Sequence, residues 1–428
     1  MRPWSTRLSN RSTTLAPARP RRLRRLIAEP TPVAPAARMP GLDALRSTSM
    51  VAVVAIHAAY AYVACRIPGI PWAVQDDSRG FAFDLLVWSS MSWAMPAFFA
   101  LGGLGAAALW ASRGPAGYAR DRARRIGLPA LLAGPAVLLP SAAVWIAGWL
   151  VSGRTNLRQI GRMVFVDREI RANLYGPAHL WFLEYFLLML AAYGVARLAG
   201  RGGSARLPKR TLSPIGPFLL AIPTTLILFL SHRAHGLDSV VDLRNSFWPD
   251  PIRWAHHAWF FLVGTWLYRA RGELSRLVRW SPLFLALAVP AFAIRASLLR
   301  ADLAAPLHGG AAWASAASAA LFAWLGLFGL IGAFLRLFHR PNAAFRYLSE
   351  SSYWIYLTHF PIVGLIQVGL YPLPWPAWAK FGATLSVSFG VGLLTYQGLV
   401  RRTALGRLLG GKPKGALPAP VVSPPLAA

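Results

Sequence analysis

An arginine and a histidine, Arg46 and His57, share the first apolar stretch of the chain, LDALRSTSMVAVVAIHAAYAYVAC (42–65). In a helix, their spacing brings both within about 20° of one face and about 16 Å apart along the axis. Ionisable groups in lipid are costly and face protein or water, so this pair marks a functional site. An imidazole titrates near neutrality and can take the proton of a hydroxyl as that hydroxyl attacks a carbonyl. It can equally accept an acyl group itself, and the spacing alone does not separate these two roles.

Other residues could serve the same chemistry. His179, Trp181 and Glu184 fall within GPAHLWFLEYF, Asp84 opens the second apolar run, and His256–His257 open the sixth. His359 follows Ser352 and Tyr356 at helical spacing, forming one polar stripe. Glu184 must be paired, protonated or wet if it lies in a membrane. Glu184 or Asp84 could orient an imidazole as its carboxylate partner. Each residue also has a plainer reading. A lone histidine on an apolar helix satisfies a neighbouring carbonyl, and a Ser–Tyr–His stripe can serve as packing between helices. No histidine or carboxylate spacing fits a metal site, adjacent His256 and His257 point apart, and Cys65 is the single cysteine, so no metal is expected.

The elements that must position these groups are membrane helices. The chain has 428 residues, 55% hydrophobic and only 14% charged, where a soluble protein carries about a quarter of its residues as charge. Ten spans are predicted near 42–65, 84–111, 126–151, 178–198, 214–231, 253–269, 281–298, 311–335, 347–370 and 377–399, giving an all-α, polytopic transmembrane bundle. A net charge of +30 would suit nucleic acid in a soluble chain. Here the basic residues sit between apolar runs, and no nucleic-acid partner is expected. About 32 of the 45 Lys and Arg fall in the arm, the even-numbered connections and the tail. The positive-inside rule then makes both termini cytoplasmic. Arg46, Arg122 and Arg125 come to the cytoplasmic mouth, and His57, His179, Glu184 and His359 to the outer half of the bilayer. Guanidinium groups clustered at such a mouth suit a polyanionic ligand, although orientation alone would also account for the loop.

Residues 1–40, rich in Arg, Pro, Ala and Ser, read as a disordered cytoplasmic arm without a cleaved signal peptide, and 401–428 as a disordered tail. The membrane domain is 41–400. Two outer connections, 152–177 and 232–252, are long and carry Asn173, Tyr175, Asn245 and Trp248. They could cover a substrate or simply connect spans. Trp88, Trp93, Trp181 and Trp248 could stack on sugar rings, but tryptophan also marks membrane interfaces.

These segments resemble the acyltransferase-3 family of integral membrane acyltransferases, and most closely its glucan biosynthesis protein C-like, succinyltransferase-like branch. The resemblance rests on LDALRSTSMVAVVAIH with its Arg-x10-His spacing, MPAFFALGG (95–103), RDRARRIGLP (120–129), HLWFLEY (179–185), FFLVGTWLYR (260–269) and SSYWIYLTHFPIV (351–363), in the family's order. It implies transfer of an acetyl or succinyl group from cytoplasmic acyl-CoA, a co-substrate with no permanently bound cofactor, to a glycan or other hydroxyl acceptor outside a bacterial inner membrane. By that resemblance His57 is the catalytic histidine and Arg46 its motif partner, while Arg122 and Arg125 face the acyl-CoA. His179, Trp181, His359 and Asp84 are expected on the substrate side, with Glu184 beside the chemistry. The chain departs from the family pattern at Gly102 and Leu104, where FFxxSGF has Ser and Phe, and at Asp121, where the basic motif has its first arginine.

A transporter or flippase for a glycan or lipid-linked intermediate is the alternative, since buried ionisable groups near the midplane suit that class as well. No inverted halves are visible in the sequence. A scaffold without activity leaves Arg46 and His57 unexplained.

Overall fold

The computed structural model describes residues 39–406 apart from 68, 70, 174, 202–207, 239, 241–243 and 404, with 164, 166, 169 and 209 described by backbone alone. The predicted arm and tail therefore lie almost entirely outside the described residues. Among the described residues all regular structure is helical, and each predicted span holds one long helix. In chain order these are α1 (Pro40–Ala59), α2 (Phe81–Arg122), α3 (Leu128–Val151), α4 (Trp181–Leu198), α5 (Gly216–His235), α6 (Pro251–Arg269), α7 (Ser275–Ala304), α8 (Gly309–Leu337), α9 (Ala343–Leu370) and α10 (Ala377–Thr395).

Local chemistry sets the ends. Asp250 caps α6, its side chain accepting from the Arg253 N–H at 2.7 Å, with Pro251 in the first turn. Asn342 caps α9 by accepting from the N–H groups of Ala344 and Phe345. Gly236 ends α5 in the left-handed region at φ 79°. Among the described residues eight stretches are long and apolar enough to cross a bilayer, and one of them, Phe81–Val151, contains two predicted spans in its 71 residues. Helix α6 is not among the eight. It carries Arg253, His256 and His257, all buried against protein.

The core is built on α8. Ala319, Trp324, Leu327 and Phe328 are fully buried there. The Trp324 indole donates to Thr224 Oγ1 of α5 at 2.8 Å and its ring stacks on Phe260 of α6 at 4.3 Å. Helices α1, α2, α5 and α7 surround α8, and α9 ties α1 to α3 and α10. Where α2 crosses α6 the backbones touch. A Cβ on Gly103 would collide with the Phe261 carbonyl, and one on Gly264 with the Ala100 carbonyl. Glycine there permits the close approach on which helix association in lipid depends. At Gly102, where the chain departs from the family pattern, the neighbour is a side chain: a Cβ there would meet the Phe186 ring of α4.

Helix α2 runs past its predicted end. Gly114 adopts φ 66°, ψ −176°, Pro115 follows, and the chain bends so that Arg122 Nη2 donates to the Gly105 carbonyl at 3.3 Å. Helix α1 ends earlier than predicted, at Ala59. The turn Tyr60–Tyr62 follows, and the chain then reverses into the connection to α2.

Candidate functional site

The early end of α1 is what exposes His57, which lies in its last turn. Asp84 fixes the reversal: its two carboxylate oxygens accept the Ala64 and Cys65 N–H groups, each at 2.8 Å. A buried ion pair between Asp76 and Lys380 of α10 pins the same connection further along. Trp72 is thereby laid against His57, with ring centroids 6.0 Å apart and planes 20° from parallel. Gln367 of α9, fully buried, completes the bracket. Its amide N–H2 donates to the His57 and Ala58 carbonyls at 3.3 and 2.9 Å, and its oxygen accepts the Trp72 indole N–H at 2.8 Å. Carbonyls at the end of α1 that no longer have a full helical turn ahead of them thus find donors.

Three histidines meet at this point. His359 Nε2 lies 3.1 Å from His57 Nδ1, and the His179 ring centroid lies 5.2 Å from that of His359. The hydrogen positions follow from the acceptors. His359 Nδ1 faces the Ile355 and Tyr356 carbonyls at 3.0 and 2.8 Å, so it carries a proton and its Nε2, in the neutral ring, accepts. His57 Nδ1 faces the Val53 carbonyl at 2.9 Å and His359 Nε2, so it is protonated too. The lone pair of His57 therefore sits on Nε2, which has no hydrogen-bond partner among the described residues. His179 Nε2 lies 3.3 Å from the Leu357 carbonyl, leaving its buried Nδ1 without a partner, and its ring stacks on Phe360 at 4.6 Å.

A cavity of about 780 Å³ opens against this cluster. His57, Tyr60, Trp72, His179, Trp181 and Phe360 line it together with Trp145 and Trp149 of α3. The two long connections roof it together. Asn245 donates from its backbone N–H to Asn173 Oδ1 and from Nδ2 to the Asn173 carbonyl, both at 2.9 Å, while its Oδ1 accepts the Ala178 N–H at 2.8 Å. Gly176 leaves room for the Asn245 side chain. Tyr175, Phe247 and Trp248 stand exposed at the rim. These loops are a joined roof, which their sequences left open.

The remaining candidates fall elsewhere. Glu184 and Asp84 do not border the cavity. Asp84 is spent on the α1–α2 connection, and one oxygen of Glu184 is buried without a partner. The carboxylate expected beside an imidazole is replaced by backbone carbonyls and a second histidine. Arg46, at the far end of α1, reaches α9. Its Nη2 donates to the Ser349 carbonyl at 3.0 Å and to the Ser349 hydroxyl, with Asp43 Oδ1 at 3.7 Å. Asp121 holds Arg113 at 2.7 Å and Arg125 at 3.2 Å, so the residue that breaks the basic motif organises its neighbours, while Arg122 turns inward over Tyr118. His256 and His257 border a separate void of about 20 Å³, which shares Trp181 and Arg253 with the lining of the main cavity.

Sequence reasoning missed Trp72, Trp145, Phe360 and Gln367. Gln367 carried a signal, because it continues the Ser352–Tyr356–His359 stripe at helical spacing. The aromatic three carried none that distinguished them from other tryptophans and phenylalanines.

Long apolar helices enclosing a cavity lined by histidines and aromatic rings define an integral membrane protein. Residues 39–397 match the acyltransferase-3 family, described as an acyltransferase domain, and the chain belongs to that family. It is a membrane acyltransferase. No curated protein and no solved structure matches the chain.

Proposed function

We propose that the protein transfers an acetyl or succinyl group from cytoplasmic acyl-CoA to a hydroxyl of an extracytoplasmic glycan at the bacterial inner membrane, with His57 as the catalytic histidine. The observation that carries this reading is the His57 ring on the cavity wall, its Nδ1–H held by the Val53 carbonyl and His359 and its Nε2 unpartnered. Nε2 removes the proton of the acceptor hydroxyl as its oxygen attacks the thioester carbonyl. A C–O bond forms, the C–S bond breaks, and the proton passes from His57 to the departing thiolate. His359 stabilises the imidazolium by accepting its Nδ1–H, as the third member of a triad does. His179 and Trp181 line the acceptor side.

Arg46, at the other end of α1, receives the phosphates of CoA together with Arg122 and Arg125. Arg46 and His57 are about 16 Å apart along the helix, the stretch that the pantetheine arm bridges. Membrane vesicles loaded with radiolabelled acyl-CoA on the cytoplasmic face test the reading. Label should appear on glycan at the opposite face with release of free CoA. Movement of glycan without consumption of acyl-CoA would favour the transporter alternative.

Gln367 serves this reading as a positioning residue. Gln367→Leu removes the bracket between the end of α1 and Trp72 without adding bulk. The expected result is a fall in kcat of about tenfold to a hundredfold, the cost of a displaced reacting group, with KM for acyl-CoA unchanged because the donor binds at the other end. An unchanged kcat in the folded variant would remove Gln367 from this role.

A further inference from the structure

The cavity does not stop at His57. Trp145 of α3 stacks on Phe360 at 4.5 Å and marks the level of the imidazole. Leu138 and Leu139 also line the cavity, six to seven residues nearer the start of α3, about 10 Å along its axis. Between these levels the α3 wall is Ser141 and Ala142, and the Ser141 hydroxyl is already committed to the Val137 carbonyl at 2.7 Å. The polar lining is gathered at the opposite end, under the roof, with Arg244, Ser246, Asp250 and Arg253. Helix α3 is also an open wall of the cavity. Leu139, which lines it, is 71% exposed and Ile146 is 41% exposed. The cavity therefore has a polar end, a reacting imidazole in the middle, and an apolar end about halfway along a helix that faces lipid.

We propose that the acylated hydroxyl belongs to a membrane amphiphile, whose polar head lies under the joined loops and whose hydrocarbon chain runs along α3 toward the bilayer midplane. This rests on the transfer reaction proposed above and names its acceptor class: a head group, sugar included, that is carried on lipid. The orientation is that of an outer-leaflet lipid, head outward and chain inward, so the molecule enters sideways past α3 without leaving the bilayer. A free oligosaccharide filling the same space would bury hydroxyl groups against Leu138, Leu139 and Ala142 with no partner for them, whereas a hydrocarbon chain loses nothing there. The bonds are those of the parent reaction. The head-group oxygen gains the acyl carbon, the thioester C–S bond breaks, and the proton reaches the thiolate through His57.

Membranes from cells making the full chain, incubated with radiolabelled acetyl-CoA or succinyl-CoA, test this by solvent partition. The expected result is label in the chloroform–methanol phase, lost with His57→Asn. Label confined to water-soluble glycan and dependent on His57 would overturn the amphiphile while leaving the transfer reaction standing. No His57-dependent label in either phase would overturn both. Ala142→Trp fills the apolar end and should lower organic-phase label by about tenfold or more. Ala147→Trp, on the exposed opposite face of the same helix, should not. Equal label from both variants would overturn the proposal. The other source of a chain is the donor's own acyl group. In that case octanoyl-CoA should outpace acetyl-CoA, and that outcome would likewise overturn it.

Discussion

His57→Asn is expected to abolish acyl transfer, lowering kcat by about a hundredfold to ten-thousandfold, the range spanned by a positioned general base. Asparagine is the informative replacement because its amide N–H2 can still donate where Nδ1–H does, toward the Val53 carbonyl and His359, while nothing occupies the place of Nε2. The variant should therefore insert and melt much as the wild type does, which a thermal-shift measurement in detergent checks. Binding of acyl-CoA should persist, since Arg46, which the proposal sets against the donor phosphates, lies at the other end of α1. Transfer at the wild-type rate by a folded His57→Asn protein would remove this residue from the chemistry. Alanine is a weaker test, because it also empties the space against which Trp72 and Phe360 pack.

The second large effect is expected at His359. His359→Phe keeps the ring and loses the acceptor for His57 Nδ1–H, so nothing beyond the Val53 carbonyl fixes the His57 tautomer or shares the charge that develops on it. A fall in kcat of about tenfold to a hundredfold should follow, with KM for acyl-CoA little changed. His359→Gln should recover much of the loss, because its amide oxygen can reach the position of Nε2 and accept the same proton. A residue that only packs would show the opposite order, phenylalanine being the better filler of an apolar space. Equal activity of the two variants, or a better phenylalanine, would reduce His359 to packing.

The contrast between His359 and Glu184 shows where sequence reasoning reached and where it stopped. Both stood out as polar groups within apolar runs. Only one comes to His57, since α9 lies beside α1, whereas Glu184 lies off the cavity. Asp84 looked like a partner for an imidazole and proved to be the anchor of the α1–α2 connection, a role set by where Ala64 and Cys65 present their N–H groups. The two long loops read as either cover or simple connection. The Asn173–Asn245 hydrogen bonds make them one roof.

By itself the sequence determined the helices, because apolar runs of bilayer length, Asp–Pro and Asn caps and glycine stops act over a few residues. The helical period likewise determined that Arg46 and His57 share a face, and that Ser352, Tyr356 and His359 form a stripe. Only the tertiary structure decided that His57 meets His359 across 302 positions of chain, that Gln367 and Trp72 bracket the end of α1, and that the cavity continues along α3. The physical reason is that periodicity fixes directions around one helix axis but not the register between two. That register comes from steric fits such as Gly103 against Phe261 and Gly264 against Ala100, which exist only once the helices are packed.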